Sequence, residues 1–184
     1  MPSVGEYVGK VSSRGPWVET YSGIYVNPLD LREDDIKIRD IAHSLSMICR
    51  YNGHSKYFYS VSEHSILVAS LLESPTDKLA GLLHDASETY ISDITRPVKG
   101  ILADYKDIEH RIMDVIKKVF NIKDADWKLV KQADNMVLAS EAKVLMKSKG
   151  KDWYLPDGCA DVQLVCMNPE EAEKEFLARY CELL

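Results

Sequence analysis

Apolar residues recur at three- and four-residue intervals along most of this chain, starting near residue 36. Such spacing places apolar side chains on one face of an α-helix, whereas a half-buried strand alternates apolar and polar residues. The first such stretch extends to about Arg50 and contains Ile36, Ile38, Ile41, Ala42, Leu45 and Ile48. Asn52-Gly53 then breaks the pattern, because this dipeptide favours a turn. The spacing predicts an all-α fold.

Helix start and stop signals divide the rest of the chain. Ser60 followed by Glu63 is a capping-box pattern, which predicts a helix that continues through apolar residues and stops at Pro75. Further helices are predicted over Asp77 to about Tyr90, Asp104–Phe120, Asp126–Lys149 and Pro169 to the C-terminus. We therefore predict a bundle of about six helices.

The first thirty residues differ from the rest in composition. Glycine and proline are frequent there, which predicts a loop-rich segment with one short hairpin around Val18–Val26. A second turn-rich connection, with Pro156 and Gly158, is expected between the last two helices. Since domains commonly have roughly 100–200 residues, we expect residues 1–184 to form a single domain.

The net charge of −6 argues against duplex nucleic acid as a partner, because phosphate backbones favour basic surfaces. A small anionic substrate remains compatible, since the local charge of a pocket matters more than the total. The N-terminus lacks the apolar region of a signal peptide, and no segment approaches the roughly 20 apolar residues of a membrane span. The four cysteines form no C-x-x-C pair. We expect a cytoplasmic protein with reduced thiols and no membrane partner.

A few polar residues stand out against the apolar pattern. Helical spacing places His84, Asp85 and Glu88 on one face, although a solvated acidic edge would give the same pattern. His64 lies in the first turn of its predicted helix, where an isolated histidine is usually a surface residue. Asp134 lies on the apolar stripe of its helix, and a carboxylate there must be paired, hydrogen-bonded or bound to a metal ion.

In chain order these residues read His64, His84-Asp85 and Asp134, a pattern that resembles the HD-domain superfamily of metal-dependent phosphohydrolases. The surrounding motifs resemble its bacterial 5′-deoxynucleotidase branch and the related phage dATP triphosphohydrolases. They are Ser62-Glu63-His64-Ser65, His84-Asp85-Ala86-Ser87-Glu88, Gln132-Ala133-Asp134, and the upstream stretches Asp40–Leu45 and Phe58–Val61. The resemblance extends from about Thr20 to Leu145 and implies a single HD-domain helical bundle.

The resemblance also implies a divalent metal ion held by four side chains, those of His64, His84, Asp85 and Asp134. The identity of the ion stays open among Co, Mn, Zn, Ni, Fe and Mg, and a triphosphate substrate would leave room for a second ion. Glu88 and Asp93 are the implied catalytic groups, which would orient or deprotonate water and protonate the leaving group. A plain turn or capping role is the alternative for Asp93.

A nucleotide substrate needs contacts for its phosphates, sugar and base. Arg50 and Lys99 are the predicted phosphate contacts. Tyr51 stands where the nucleotidases that resemble this chain carry a tryptophan that contacts the sugar, which leaves the sugar preference open. His43 and His54 either line the pocket or cap loops, and His54 is taken as the contact.

The predicted activity is metal-dependent removal of the 5′ phosphate or triphosphate from a deoxynucleotide. A triphosphate would need positive charge beyond Lys99, from Lys56, Arg96 or a second ion. The alternatives are a phosphodiesterase acting on cyclic or hyperphosphorylated nucleotides and a non-catalytic, metal-containing regulatory module. A homo-oligomer is expected, with the apolar C-terminal helix either supplying an interface or closing the core. The phage relatives would place such a protein in the host cytoplasm.

Overall fold

The computed structural model describes residues 15–155 and 157–184. The first fourteen residues of the predicted N-terminal loop, and Pro156 of the predicted connection, lie outside these ranges. The described part of the protein is mostly helical, which confirms the predicted all-α class. Within it, no helix combines the length and apolar character needed to cross a lipid bilayer.

Residues 15–155 and 157–184 contain six α-helices of nine residues or more, two single-turn α-helices and three short 3₁₀ helices. The longer ones are α1 (Ile38–Met47), α2 (Val61–Ser70), α3 (Pro75–Leu83), α6 (Ala103–Val119), α7 (Trp127–Leu145) and α8 (Pro169–Glu182). The single turns are α4 (Glu88–Ile91) and α5 (Arg96–Lys99). The predicted hairpin is also present, since β1 (Val18–Glu19) pairs antiparallel with β2 (Tyr25–Val26).

Helix α2 lies at the centre of the bundle, in contact with α1, α3, α7 and α8. Ser60 caps it as predicted, because its hydroxyl accepts a hydrogen bond from the Glu63 N–H at 3.1 Å. The second half of the predicted capping box is wrong. The Glu63 carboxylate instead accepts bonds of 2.7–2.9 Å from the backbone N–H groups of residues 165–167, just before α8. Glu63 therefore links α2 to the segment that precedes the last helix.

Helices α2 and α3 approach each other closely at Gly81. A β-carbon on this residue would lie 2.6 Å from Leu72 Cδ1 and 3.2 Å from the Cα of Ala69. The absence of a side chain at Gly81 therefore permits the close contact between the two helices. Their contact brings the end of α3, and with it His84, next to α2.

The continuous helix predicted over residues 77–90 is interrupted after Leu83, which corrects that prediction. Across the interruption, the N–H groups of Ala86 and Glu88 bond to carbonyls three residues earlier, both at 3.0 Å. Such winding has about three residues per turn, so Asp85 and Glu88 lie one above the other. The His-Asp pair therefore belongs to a tight turn between α3 and α4.

Helix α1 ends at Met47, before the predicted end near Arg50. The chain becomes extended there, and Cys49 forms an antiparallel bridge with Ser60. The Arg50 N–H donates to the Tyr59 carbonyl at 2.9 Å. This bridge holds Arg50 beside the first turn of α2.

The C-terminal helix closes the core. Ala172 and Phe176 of α8 are fully buried, and α8 packs against α1 and α2. Helix α8 begins at Pro169 as predicted, whereas α7 ends at Leu145, earlier than the predicted Lys149. The sequence left two roles open for the last helix, an oligomer interface or closure of the core. The structure favours closure of the core. The expected homo-oligomer stays a prediction.

Candidate metal centre

Three side chains from different elements meet beside the first turn of α2. His64 comes from the first turn of α2, His84 from the turn after α3, and Asp134 from the middle of α7. One nitrogen or oxygen atom from each lies within 4.8 Å of the other two, and the two imidazole centroids are 5.2 Å apart. The structure therefore brings together residues that lie far apart in sequence and that can hold a metal ion.

The two imidazoles are arranged as metal-binding histidines usually are. His84 Nδ1 lies 2.7 Å from the Gly81 carbonyl oxygen, and His64 Nδ1 lies 2.6 Å from Glu141 Oε1. Because both oxygens accept, each Nδ1 donates, which leaves the Nε2 lone pairs for a ligand. Both Nε2 atoms are buried and form no well-aligned hydrogen bond among the described residues, although carboxylate oxygens of Asp134 and Asp85 lie 3.1 Å from His64 Nε2 and 3.2 Å from His84 Nε2. Two imidazole nitrogens that face carboxylates in this way fit a divalent cation.

Asp85 lies beside the group formed by His64, His84 and Asp134 but is not one of its three members. Its Oδ2 is 3.2 Å from His84 Nε2, 3.8 Å from His64 Nε2 and 3.6 Å from Arg50 Nη1. The carboxylate thus faces both imidazoles while it also pairs with a cation. All four predicted metal ligands lie in one place, with Asp85 within reach of an ion held by the other three.

Glu141, which the sequence analysis did not identify, supports the centre from behind. Its fully buried carboxylate accepts from His64 Nδ1, from Arg50 Nε at 3.2 Å and from the Tyr51 hydroxyl at 2.5 Å. Glu141 lies two helical turns after Asp134 on the same face of α7. A second carboxylate at that spacing on an apolar stripe was the available sequence signal.

The buried charges perturb one another strongly. Burial and Arg50 oppose protonation of His64, but Glu141 and Asp134 outweigh them and raise its pKa to about 9. Burial would raise the pKa of Glu141, yet Arg50 and His64 lower it to about 2. Burial likewise opposes ionisation of Asp134, while His64 and His84 hold its pKa well below the usual range. A metal ion would compete with the proton on His64, because ligating imidazoles must be neutral.

A cavity of about 580 Å³ opens beside these residues. Eight of the ten predicted site residues line it, namely Arg50, Tyr51, His54, Asp85, Glu88, Asp93, Lys99 and Asp134. Further lining residues that the sequence analysis did not identify include Lys131, Trp153, Tyr154 and Leu155. The volume falls within the roughly 300–1,000 Å³ of typical small-molecule sites.

Two carboxyl groups in the cavity wall have raised pKa values. Burial, together with the nearby charges of Asp85 and Asp93, raises the pKa of Glu88 well above its ordinary value. Glu88 Oε2 is buried and has no hydrogen-bond partner in the described ranges. Burial also raises the pKa of Asp93, and Asp85 adds to the effect. Both groups can therefore hold a proton at a higher pH than ordinary carboxyl groups do.

The positive charges around the cavity are mostly paired with carboxylates. Lys99 Nζ contacts the Glu109 carboxylate, and Lys131 Nζ donates to Asp134 Oδ2 at 2.5 Å. Arg96 is exposed at the rim. Lys56 donates to a backbone carbonyl of α7 and is not among the cavity-lining residues. Arg96 and Lys131, rather than Lys56, are therefore the additional cations that line this site.

Tyr51 adopts a left-handed backbone conformation, with φ 59° and ψ 27°. A bulky residue rarely adopts this conformation, and such strain persists only where the surroundings enforce it. Here the hydrogen bond to Glu141 holds the side chain, and the Tyr51 ring centroid lies 6.2 Å from that of Trp153. The two aromatic rings form one wall of the cavity.

His43 does not line this cavity. Its ring stacks on Tyr21 with centroids 3.6 Å apart, and its Nδ1 lies 2.8 Å from Glu173 Oε2. The suggestion that His43 contacts the substrate of the predicted site is therefore corrected. Its position on α1 directs it toward α8 and the N-terminal hairpin. His54 does line the cavity, at its exposed edge.

Comparisons with known proteins identify relatives without a described activity. No family model matches the chain. It is 36% identical over 115 residues to an uncharacterized protein of Rhodobacter capsulatus, covering 58% of this chain and 59% of the relative. It is 35% identical over 170 residues to the uncharacterized protein YfdR of Escherichia coli (strain K12), covering 91% of this chain and 95% of YfdR. The chain therefore belongs to the same family as YfdR.

Proposed function

We propose that this protein is a metal-dependent phosphohydrolase of the HD class that removes the 5′ phosphate or triphosphate from deoxynucleotides. The observation that carries the proposal is the convergence of the buried Nε2 atoms of His64 and His84, which form no well-aligned hydrogen bond, with the Asp134 carboxylate beside a large cavity. Unpartnered buried polar atoms are costly, and a metal ion would satisfy both.

The donor set supports hydrolytic chemistry at phosphorus. A divalent ion bound by His64, His84, Asp85 and Asp134 would lower the pKa of a bound water and polarise a phosphoryl oxygen. Two imidazoles and two carboxylates suit Mn, Fe, Co, Ni or Zn, and the carboxylate oxygens keep Mg within range.

Glu88 is the residue best suited to transfer a proton. It lines the same cavity as Asp85 and lies one tight turn beyond it, and its raised pKa lets it hold a proton. In its ionised form it can accept a proton from water, and in its protonated form it can donate one to the leaving oxygen. Asp93 in the same wall is the second candidate donor.

Positive charge at the cavity supports a phosphate-bearing substrate. The cationic lining residues are Arg50, Arg96, Lys99 and Lys131. Arg50 is held by Glu141 and Asp85 and can present part of its planar guanidinium group to a phosphate. Lys99 and Lys131 can exchange their present carboxylate partners for phosphate oxygens. This supply of charge is compatible with a monophosphate and with a triphosphate.

Product analysis tests the proposal directly. Protein loaded with Co²⁺ or Mn²⁺ is offered all common deoxynucleoside monophosphates and triphosphates, with the ribonucleotides alongside, and released phosphate and triphosphate are detected separately. We expect release from at least one deoxynucleotide. His84→Ala should abolish it, whereas His43→Ala should retain it because His43 lies outside the cavity.

The product distinguishes the two forms of the activity. Triphosphate release would identify an enzyme that acts on deoxynucleoside triphosphates, and phosphate release a 5′-deoxynucleotidase. Inactivity toward every one of these nucleotides, with metal bound, would contradict the proposal. Cyclic and hyperphosphorylated nucleotides would then be the next substrates to test.

A further inference from the structure

The connection that follows α7 supplies part of the wall of the cavity beside the candidate metal centre. Trp153, Tyr154 and Leu155 all line this cavity, although they lie beyond the stretch that resembles the HD phosphohydrolases. Trp153 is half-buried and Tyr154 is 89% exposed. The resemblance assigns these residues no role, so their role has to be inferred from what surrounds them.

The backbone of this connection is tightly folded. Lys149, Gly150 and Asp152 have positive φ angles of 54°, 74° and 66°. Such angles are rare for residues other than glycine, and they persist only where the surroundings enforce them. The Trp153 N–H donates to the Gly150 carbonyl at 3.1 Å, and a β-carbon on Gly150 would lie only 3.1 Å from Ala142 Cβ on α7. The connection is therefore folded back against α7, which holds Trp153 at the cavity.

A short series of contacts leads from the candidate metal centre to Trp153. Glu141 accepts from His64 and from the Tyr51 hydroxyl, and the Tyr51 ring centroid lies 6.2 Å from that of Trp153. Because the Tyr51 hydroxyl is engaged, its ring is the part of the side chain that remains for a ligand. The two rings are inclined at 47°, so Tyr51 does not cover the face of the Trp153 indole. The cavity thus offers aromatic surface close to the centre.

The mixed lining of the cavity restricts what this aromatic surface can bind. Apolar side chains line the cavity together with the cations that can contact phosphate, and they are Ile94, Leu138, Met146 and Leu155. A ligand that uses both kinds of surface carries an anionic group and a flat, weakly polar ring. A nucleotide combines the two, and its base gains by stacking on an aromatic side chain. A free phosphate or a sugar phosphate would leave the aromatic surface unused.

We propose that Trp153 stacks on the base of the nucleotide substrate and that the connection after α7 forms the base-binding wall of the site. This inference rests on the proposed function. Tyr51 flanks the stacked base, and the phosphate lies toward the candidate metal centre. Stacking on an indole requires a base without selecting a particular one, because every base has a π-face. The site should therefore bind a nucleotide much better than the same sugar phosphate without its base.

Steady-state kinetics compare the best deoxynucleotide with the abasic 2-deoxyribose phosphate that carries the same number of phosphates. Trp153→Ala should raise KM for the deoxynucleotide roughly tenfold and leave kcat and the abasic reaction nearly unchanged. Trp153→Phe should restore most of the affinity, because phenylalanine keeps an aromatic face. Tyr57→Ala, at an exposed aromatic residue that does not line the cavity, is the control and should change neither substrate. An equal KM for both substrates in the unaltered protein, or no change in Trp153→Ala, would overturn the inference.

Tryptophan fluorescence of the chelated protein gives a readout that needs no hydrolysis. Deoxynucleoside monophosphates should quench the emission saturably, and 2-deoxyribose 5-phosphate should not. Trp153→Phe should lose the quenching, because Trp17 and Trp127 do not line the cavity. Quenching through Trp153 without hydrolysis would support the base site and contradict the hydrolase. Hydrolysis without such quenching, and with unchanged KM in Trp153→Ala, would contradict the base site alone.

Discussion

At the scale of single residues, Glu141 links the two halves of the site. Its one carboxylate accepts from His64, whose Nε2 faces the candidate metal position, and from Arg50 and Tyr51, which line the adjacent cavity. A hydrogen-bonded carboxylate fixes the tautomer and the orientation of a ligating imidazole and makes it more basic. Glu141 thus contacts His64 and Arg50, and it is not itself among the residues that line the cavity.

Glu141→Gln should weaken metal binding by roughly 10- to 100-fold, because the neutral amide is a weaker acceptor for the His64 N–H. Titration calorimetry with Mn²⁺ or Co²⁺ measures the change. Glu173→Gln is the matched control, since Glu173 pairs with His43 away from the centre. Equal metal affinity in both variants would show that Glu141 does not support the centre.

Asp134→Ala should abolish metal binding and activity while the fold is kept. Asp134 lies 3.1 Å from His64 Nε2, and nothing else on α7 replaces its oxygen within the compact group. Elemental analysis gives the metal content, and circular dichroism the helix content. Asp114→Ala, which removes an exposed carboxylate from α6, should leave both unchanged. If the Asp134→Ala protein were fully active and contained metal, Asp134 would not be a metal ligand and the proposed site would be wrong.

Glu88→Gln should keep the bound metal and lose turnover by about 10²–10⁴-fold, because the amide retains the shape of the side chain and cannot transfer a proton. Turnover is measured on the best deoxynucleotide found in the product analysis, and metal content on the same sample. A rate near that of the unaltered protein would assign Glu88 a structural role.

At the scale of elements, the site depends on how α2 is held. Ser60 caps its first residues, and Glu63 in the first turn binds three backbone N–H groups of the segment before α8. The turn that contains His64 is therefore fixed to a part of the chain about one hundred residues away. The α2–α3 contact at Gly81 then sets the distance from His64 to His84.

Glu63→Gln should lower the free energy of unfolding by about 2–3 kcal/mol. In the unaltered protein both oxygens of Glu63 accept from backbone N–H groups, and in the variant an amide nitrogen would replace one of these acceptors. Urea unfolding followed by circular dichroism measures the free energy of unfolding. Glu73→Gln, at an exposed carboxylate between α2 and α3, is the control and should change it little. Similar stability in both variants would mean that the three N–H groups find other acceptors.

At the scale of the whole molecule, the candidate metal centre joins α2, the turn between α3 and α4, and α7. A ligand that binds only the folded state stabilises it by mass action. An ion at one hundred times its dissociation constant therefore adds about 2.7 kcal/mol. The centre should thus act as a cross-link between helices that are distant in sequence.

Chelation should accordingly lower the melting temperature by roughly 5–10 °C relative to the metal-loaded protein. Differential scanning fluorimetry with and without chelator measures the shift. In His84→Ala the chelator should no longer change the melting temperature, whereas in His43→Ala it should lower it as in the unaltered protein. Equal melting temperatures for the loaded and chelated forms of the unaltered protein would contradict a metal that bridges these helices.

Much of this architecture follows from local sequence. The apolar spacing predicts the six longer helices, Ser60 and Pro169 mark two helix starts, and the glycine-rich segment predicts the hairpin. Asp134 on an apolar stripe is recognisable as a residue that needs a partner. These signals depend on neighbours within about four residues, because capping and helix periodicity act over that range.

The partners themselves were decided only by the tertiary structure. Glu141 meets His64 across 77 residues and Arg50 across 91, so a local pattern can mark it as a carboxylate on the apolar stripe of α7 but cannot identify these partners. The same holds for the histidines, since His43 and His64 both lie on helices and only packing directs one to Glu173 and the other to the candidate metal centre. Local sequence determined which residues form helices. The packing of α2 against α3 and α7 determined which of their polar side chains share a buried site, because burial forces each of them to find a partner.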